Sequence, residues 1–123
     1  MIRIPALLLA ALACWLLAMP SFASQSGLVE AKLPSGTIAG AHFQAGKRGQ
    51  PAVLILHGFL QTHTFPTIVS TMDALSTAGY TVLAPTLSLG ISRRNKSLPC
   101  EAVHLHALDD DVAEVAFWVR WLV

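Results

Sequence analysis

The sequence predicts an α/β protein, and two buried-looking apolar runs with a helix between them carry that expectation. The first run, Pro51-Ala52-Val53-Leu54-Ile55-Leu56, lacks alternation, as a strand covered on both faces does. The second is Tyr80 to Ala84. A buried strand, a helix and another buried strand imply a parallel crossover, whose strands need helices on both faces. The architecture expected is therefore a mostly parallel sheet with flanking helices.

The remaining elements follow in chain order. Gly27 to Leu33 and Gly36 to Ala45 show short mixed alternation around Pro34-Ser35-Gly36, which reads as a β-hairpin or two successive strands. Gly46 to Gln50 is a polar loop. Pro66 suits a first helical turn, where its missing N–H is no loss. Ile68, Val69, Met72 and Leu75 continue at helical spacing, and Gly79 is placed for a C-terminal cap. Leu87 to Cys100 is a polar, basic loop. A last helix starts near Asp109 to Asp111, with Asp111 and Glu114 at capping-box spacing and Val112, Val115, Ala116, Val119 and Leu122 as its apolar stripe. It runs to Trp121-Leu122-Val123 without a glycine or polar cap, so the chain is expected to be cut there. No internal repeat or low-complexity tract is present.

Length and composition narrow the function classes. The 123 residues suffice for one small domain. Arg3, the uncharged apolar run Ala6 to Met19, Pro20 and the small residues Ser21 and Ala23 form the three-part layout of a secretory signal peptide. The expected division is thus a signal peptide over 1–23, cleaved after Ala23, and one partial domain over 24–123. The competing membrane anchor needs roughly twenty apolar residues, and this run has about fourteen. A lipid anchor on Cys14 is disfavoured because Ala11 stands where the usual leucine would be. Loss of Arg3 leaves seven basic and seven acidic side chains from the original eight and seven. That balance argues against nucleic acid or anionic lipid as the main partner. Cys100 then stands alone and forms no internal disulfide. A periplasmic or secreted protein is expected, with no stable membrane span after cleavage and an open oligomeric state.

The sharpest chemical signal is His57-Gly58, directly after the first apolar run and followed by Phe59-Leu60-Gln61. A glycine at the tip of a buried parallel strand lets the backbone turn tightly. Its N–H groups then face a substrate, as an acyl-transfer enzyme requires to hold a developing oxyanion. An ordinary strand-to-loop turn is the plainer alternative. Other patterns are weaker. His104 and His106 supply only two metal ligands, with Asp109 to Asp111 as possible thirds, and no metal is expected. Gly40 to Gly46 has the wrong spacing for a phosphate loop, and Arg48 replaces its Ser or Thr. Arg93, Arg94 and Lys96 are expected to form a solvated loop, with attraction of an anionic substrate as the alternative. Packing accounts for Trp118 and Trp121.

Ala52-Val53-Leu54-Ile55-Leu56-His57-Gly58-Phe59 resembles the third strand and oxyanion turn of the α/β-hydrolase superfamily. The resemblance continues through Leu75 to Pro85, similar to that family's first helix and fourth strand. Leu89-Gly90-Ile91-Ser92 is similar to a loop where many members carry Gly-x-Ser, and Asp110 to Leu122 resembles the helix before the nucleophile strand. This covers essentially all of residues 24–123 and implies the N-terminal half of that fold. Phe59 is then the oxyanion donor through its backbone N–H, Gly58 and His57 shape the turn, and Leu60 and Gln61 lie against substrate. Two departures stand out. Thr86 occupies a position where many members have aspartate, and there is no Gly-x-Ser-x-Gly elbow. Gly90-Ile91-Ser92-Arg93-Arg94 lacks the second glycine, which rejects Ser92 as nucleophile; the family's aspartate and histidine also come later in the chain.

The function implied is the N-terminal portion of an exported serine hydrolase acting on a carboxylic ester, thioester or amide. Its substrate would be a small-molecule or lipid-like acyl compound, with no cofactor, and the fragment alone would be inactive. The alternative is an exported non-catalytic α/β-hydrolase-like binding or scaffold protein, or an inactive truncated product. Loss of the nucleophile strand would leave the Val53–Leu56 strand as an exposed edge and the fold marginal.

Overall fold

The computed structural model describes residues 26–123. The signal segment expected over 1–23 lies outside the described residues. In chain order the elements are β1 (Gly27–Lys32), β2 (Ile38–Gln44), β3 (Ala52–Leu54), helix α1 (Pro66–Thr77), β4 (Thr81–Thr86) and helix α2 (Leu108–Leu122).

The four strands form one sheet in the order β1-β2-β4-β3. This corrects the expectation of a mostly parallel sheet with flanking helices, as the N-terminal half of an α/β-hydrolase fold. Both β1–β2 and β2–β4 are antiparallel, and only β3–β4 is parallel. Among the described residues, only two helices accompany the sheet. The physical reason is the short Leu33–Thr37 connection, closed by Gly36 N–H to Leu33 O and Leu33 N–H to Thr37 O. A connection that short permits only an antiparallel hairpin. β2 then lies against β4 in the same antiparallel sense, and a helical crossover is needed only between β3 and β4.

β4 is the centre of the structure, with β2 on one side and β3 on the other. From Val82 to Thr86 every residue is buried. Its alternation serves two cores. Val82 and Ala84 meet Ile68 and Met72 of α1. Leu83 joins Leu33, Ala39, Ala41 and Trp118 of α2. Pro85 is tolerated in this central strand because its backbone nitrogen, in phase with Leu83, faces the side where β3 has already ended.

The apolar run at 51–56 was expected to be covered on both faces, and it is not. β3 is a three-residue edge strand extended by one bond, Ile55 N–H to Leu83 O. Val53 and Leu54 are half-buried, and Leu56 is 44% exposed. With β4 as its single neighbour, β3 has one side of its backbone unpaired within the sheet.

The helix ends show why these segments stop where they do. α1 closes in a Schellman motif, with Gly79 N–H to Ser76 O and Tyr80 N–H to Leu75 O. Gly79 supplies the required left-handed residue at φ +95°. α2 begins after Ala107, whose N–H donates to the Asp110 carboxylate at 2.8 Å. The expected Asp111–Glu114 capping box is therefore replaced: Asp110 caps, while Asp111 and Glu114 have other partners. The expected valine stripe is also displaced. Val112 is 58% exposed, and the buried residues of α2 are Glu114 and Trp118. Trp118 is the bulkiest of the fully buried side chains, and its indole N–H needs a buried acceptor. Glu114, one turn earlier, provides it at 3.5 Å and turns this face inward.

Gly46 sets the approach of the β2–β3 loop to the start of β4. Its N–H donates to Thr81 Oγ1 at 3.0 Å, and a Cβ there would collide with the backbone of Gly79, Tyr80 and Thr81. Gly46→Ala is expected to destabilise the fold by roughly 3 kcal/mol, the upper part of the overpacking range. Chemical denaturation of the two proteins checks this; unchanged stability would show that the loop can move aside.

Candidate functional site

β3 and β4 run parallel, so their C-terminal ends open at the same edge of the sheet. In open α/β sheets ligands bind outside such carboxyl ends. The segments leaving them are His57–Gln61 and Leu87–Arg94, and hydrogen bonds join the two.

His57-Gly58-Phe59-Leu60-Gln61 forms a tight turn closed by Gln61 N–H to Gly58 O at 3.1 Å. Leu60, the third residue of the Gly58–Gln61 turn, has φ +58°, as a type II turn requires. That position normally favours glycine, so leucine there needs outside support. Leu60 is buried, and its carbonyl accepts from Leu98 N–H at 3.0 Å.

Arg94 provides most of that support. It is 6% exposed. Its Nε donates to Leu87 O at 2.7 Å, Nη2 to Gln61 O at 2.7 Å, and Nη1 to Lys96 O at 3.0 Å and Leu60 O at 3.4 Å. Nη2 also lies 3.2 Å from His57 Nε2. This corrects the expectation of a solvated basic loop for Arg94, although Arg93 remains exposed and pairs with Glu30 at 3.4 Å. The loop curls inward through left-handed Leu89, Gly90 and Arg93 and is tied to β2 by Arg93 N–H to Ile38 O. Ser92 Oγ accepts Ile38 N–H at 3.1 Å, so this serine serves the docking of the loop.

These contacts define the tautomer of His57. Nδ1 sits 2.8 Å from Gly58 O, which can only accept, so Nδ1 carries the proton. Nε2 is then bare and accepts from Leu87 N–H at 3.0 Å and from Arg94. Burial lowers the His57 pKa and the nearby Arg94 charge lowers it further, against the Gly58 hydrogen bond. Burial likewise pulls the Arg94 guanidinium below its usual value, opposed by Glu114 and Asp111. Glu114 fastens the same loop from α2. Both its oxygens take Ser88 N–H, and Oε2 takes the Ser88 hydroxyl at 2.6 Å.

The carbonyls of Gly58, Leu60 and Gln61 are thus engaged, while the N–H groups of Phe59 and Leu60 donate to no acceptor among the described residues. Phe59 is 77% exposed, and its ring stacks on His104 at 5.8 Å. A cavity of about 150 Å³ is lined by Gly58, Phe59 and Leu60 together with Leu89, His106 and Asp111. Gln61 does not line it, and its backbone carbonyl serves Arg94. Thr86 is buried, with Oγ1 accepting His63 N–H at 3.0 Å and bonded to His63 Nδ1 at 2.7 Å. His104 and His106 lie together, but His106 pairs with Asp111; among the described residues no group of three His, Cys, Asp or Glu side chains is arranged to hold a metal ion. Arg94 and the His106–Asp111 pair are the site residues that sequence reasoning missed. A basic loop residue carries no mark of burial, and His106 reads in the sequence as a loop residue near the helix start, with metal binding the weaker alternative. No protein-family model matches the chain, and no curated protein matches it.

Arg94→Leu removes five contacts at once and leaves buried carbonyls unpaired. We expect a loss of about 3 kcal/mol, the order found when a buried polar network is broken. Denaturation of the variant measures it, and a loss below about 1 kcal/mol would show that the turn holds without the guanidinium. A second expectation concerns pH. Burial lowers the pKa of His57 and of His63, the latter also facing His42 and His57, below the ordinary value of 6.5. The unfolded chain therefore takes up protons before the fold does. Their contribution is intact above pH 6.5 and is lost as pH falls from there toward the folded-state values. Thermal midpoints measured across that window should fall with pH, less steeply in His57→Gln.

Proposed function

We propose that this chain carries the oxyanion turn of an exported serine hydrolase related to the α/β-hydrolase superfamily, acting on a carboxylic ester, thioester or amide of a small or lipid-like acyl compound. The carrying observation is the pair of undirected N–H groups, Phe59 and Leu60, on a turn where Arg94 holds the carbonyls of Leu60 and Gln61. Donors fixed before the reaction need no reorganisation as charge develops on the carbonyl oxygen. The parallel β3–α1–β4 crossover, with the turn at the carboxyl end of β3, supports the reading. The buried Arg94 cation adds a favourable field for negative charge at the turn.

The roles follow from these contacts. Phe59 N–H is the oxyanion donor, Leu60 N–H a second, and Gly58 the point of close approach. His57 stiffens the turn as a neutral ring and transfers no proton, since both its nitrogens are engaged. The 123 residues contain no Gly-x-Ser-x-Gly elbow, so they supply no nucleophile of the family pattern and are inactive by themselves. Export rests on residues 1–23. No helix among the described residues is long and apolar enough to cross a membrane.

Phe59→Pro tests the donor directly. Proline is favoured at the second position of a type II turn, so the substitution keeps the turn and deletes the N–H. Butyrate, whose carboxylate mimics the oxyanion, should shift the Phe59 and Leu60 amides in proton–nitrogen correlation spectra. Phe59→Pro should bind it about tenfold more weakly, the value of one hydrogen bond to a charged group. Amides that stay unmoved at saturating butyrate would contradict the reading.

A further inference from the structure

The cavity at the turn has polar groups that oxyanion binding leaves unused. His106 Nδ1 lies 3.0 Å from Asp111 Oδ1, and both side chains are largely buried, 14% and 22% exposed. A carboxylate can only accept, so Nδ1 carries the proton whether the ring is neutral or charged. That leaves Nε2 as the free atom of the ring, and it makes no hydrogen bond among the described residues. The other imidazole lining this cavity, that of His57, has both nitrogens occupied.

Three contacts hold His106 in place. Asp111 lies in the first turn of α2, a helix anchored by the fully buried Trp118. His104 stacks on Phe59 and lies 5.6 Å from the His106 ring, so the segment is tied to the oxyanion turn itself. The backbone of Leu105 passes so close to Gly90 that a Cβ there would stand 3.1 Å from its carbonyl oxygen. The side chain is therefore placed before any ligand arrives, as a recognition group needs to be.

We propose that His106, oriented by Asp111, is a specificity-determining residue that binds a hydroxyl on the acyl chain of a substrate whose carbonyl oxygen is held by Phe59 N–H. This rests on the oxyanion reading and adds a substrate class to it: short hydroxyacyl esters, thioesters or amides. A hydroxyl is the matching group because it both donates and accepts. It satisfies a bare Nε2 in the neutral ring and a protonated Nε2 in the charged one. Size agrees with a short chain. The cavity at the turn is small, about 150 Å³.

The test compares butyrate with α-hydroxybutyrate and β-hydroxybutyrate on the 123-residue chain, following the Phe59 and Leu60 amides and the ring nitrogens of His106. We expect at least one hydroxy acid to bind roughly fivefold more tightly than butyrate, as one added neutral hydrogen bond does. That acid should move the His106 Nε2 resonance, and butyrate should not. In His106→Phe the advantage should vanish, and in Asp111→Asn it should shrink. If butyrate moves the turn amides but neither hydroxy acid binds better or touches the His106 ring, this proposal falls and the oxyanion reading stands. If no acid moves the Phe59 amide, both fall. The ring-nitrogen readout needs no variant, so the proposal stays exposed to failure even where a substitution impairs folding.

Discussion

A guanidinium buried among backbone carbonyls governs the geometry of this molecule's functional end. Arg94 reaches Leu60, Gln61, Leu87 and Lys96 through their oxygens, and His57 through its bare nitrogen. Among the described residues no carboxylate pairs with it directly; Asp111 and Glu114 act on it through space. Removing a cation from water is expensive, and here five acceptors replace the lost hydration. The arrangement has a directional result. Because Arg94 holds the Leu60 and Gln61 carbonyls and Gly58 O takes Gln61 N–H, the N–H groups of Phe59 and Leu60 are left for a ligand. A lysine could not do the same, since its point charge lacks the planar fork that spans several carbonyls.

The second support comes from α2. Trp118 roots the helix in the core shared by β1, β2 and β4, and Glu114 uses that anchorage to hold Ser88. Asp111, one turn nearer the helix start, holds His106. The two carboxylates thus join a packed helix to the loop after β4 and to the segment before α2. The result is a site built from loops but fastened to rigid elements. Its electrostatic character is consistent. A neutral His57, kept so by burial, avoids placing a second positive charge beside Arg94.

Much of the local structure was legible in the sequence because local rules decided it. The hairpin around Pro34-Ser35-Gly36, the start of α1 at Pro66 and its end at Gly79 each depend on a few adjacent residues. Sheet direction was not legible in the same way. The apolar run at 51–56 matched the pattern of a covered parallel strand, but how far it is covered depends on neighbours distant in the chain. The burial face of α2 was misjudged because the valine pattern scored well for hydrophobicity. The competing face carries a glutamate, which becomes a core residue only through Ser88 and Trp118. Of the site, His57-Gly58-Phe59 was legible as a turn after a strand. Arg94 was not, since an arginine in a polar loop is solvated far more often than buried.

The central claim is that Arg94 and Leu87 N–H hold His57 as a neutral ring with its proton on Nδ1, and through it fix the turn. Long-range proton–nitrogen NMR of the His57 imidazole at neutral pH reads this directly. The account predicts a protonated Nδ1 and a bare, hydrogen-bond-accepting Nε2, unchanged across the neutral range. A ring with its proton on Nε2, or one already charged at neutral pH, would contradict it, because neither could accept from Arg94.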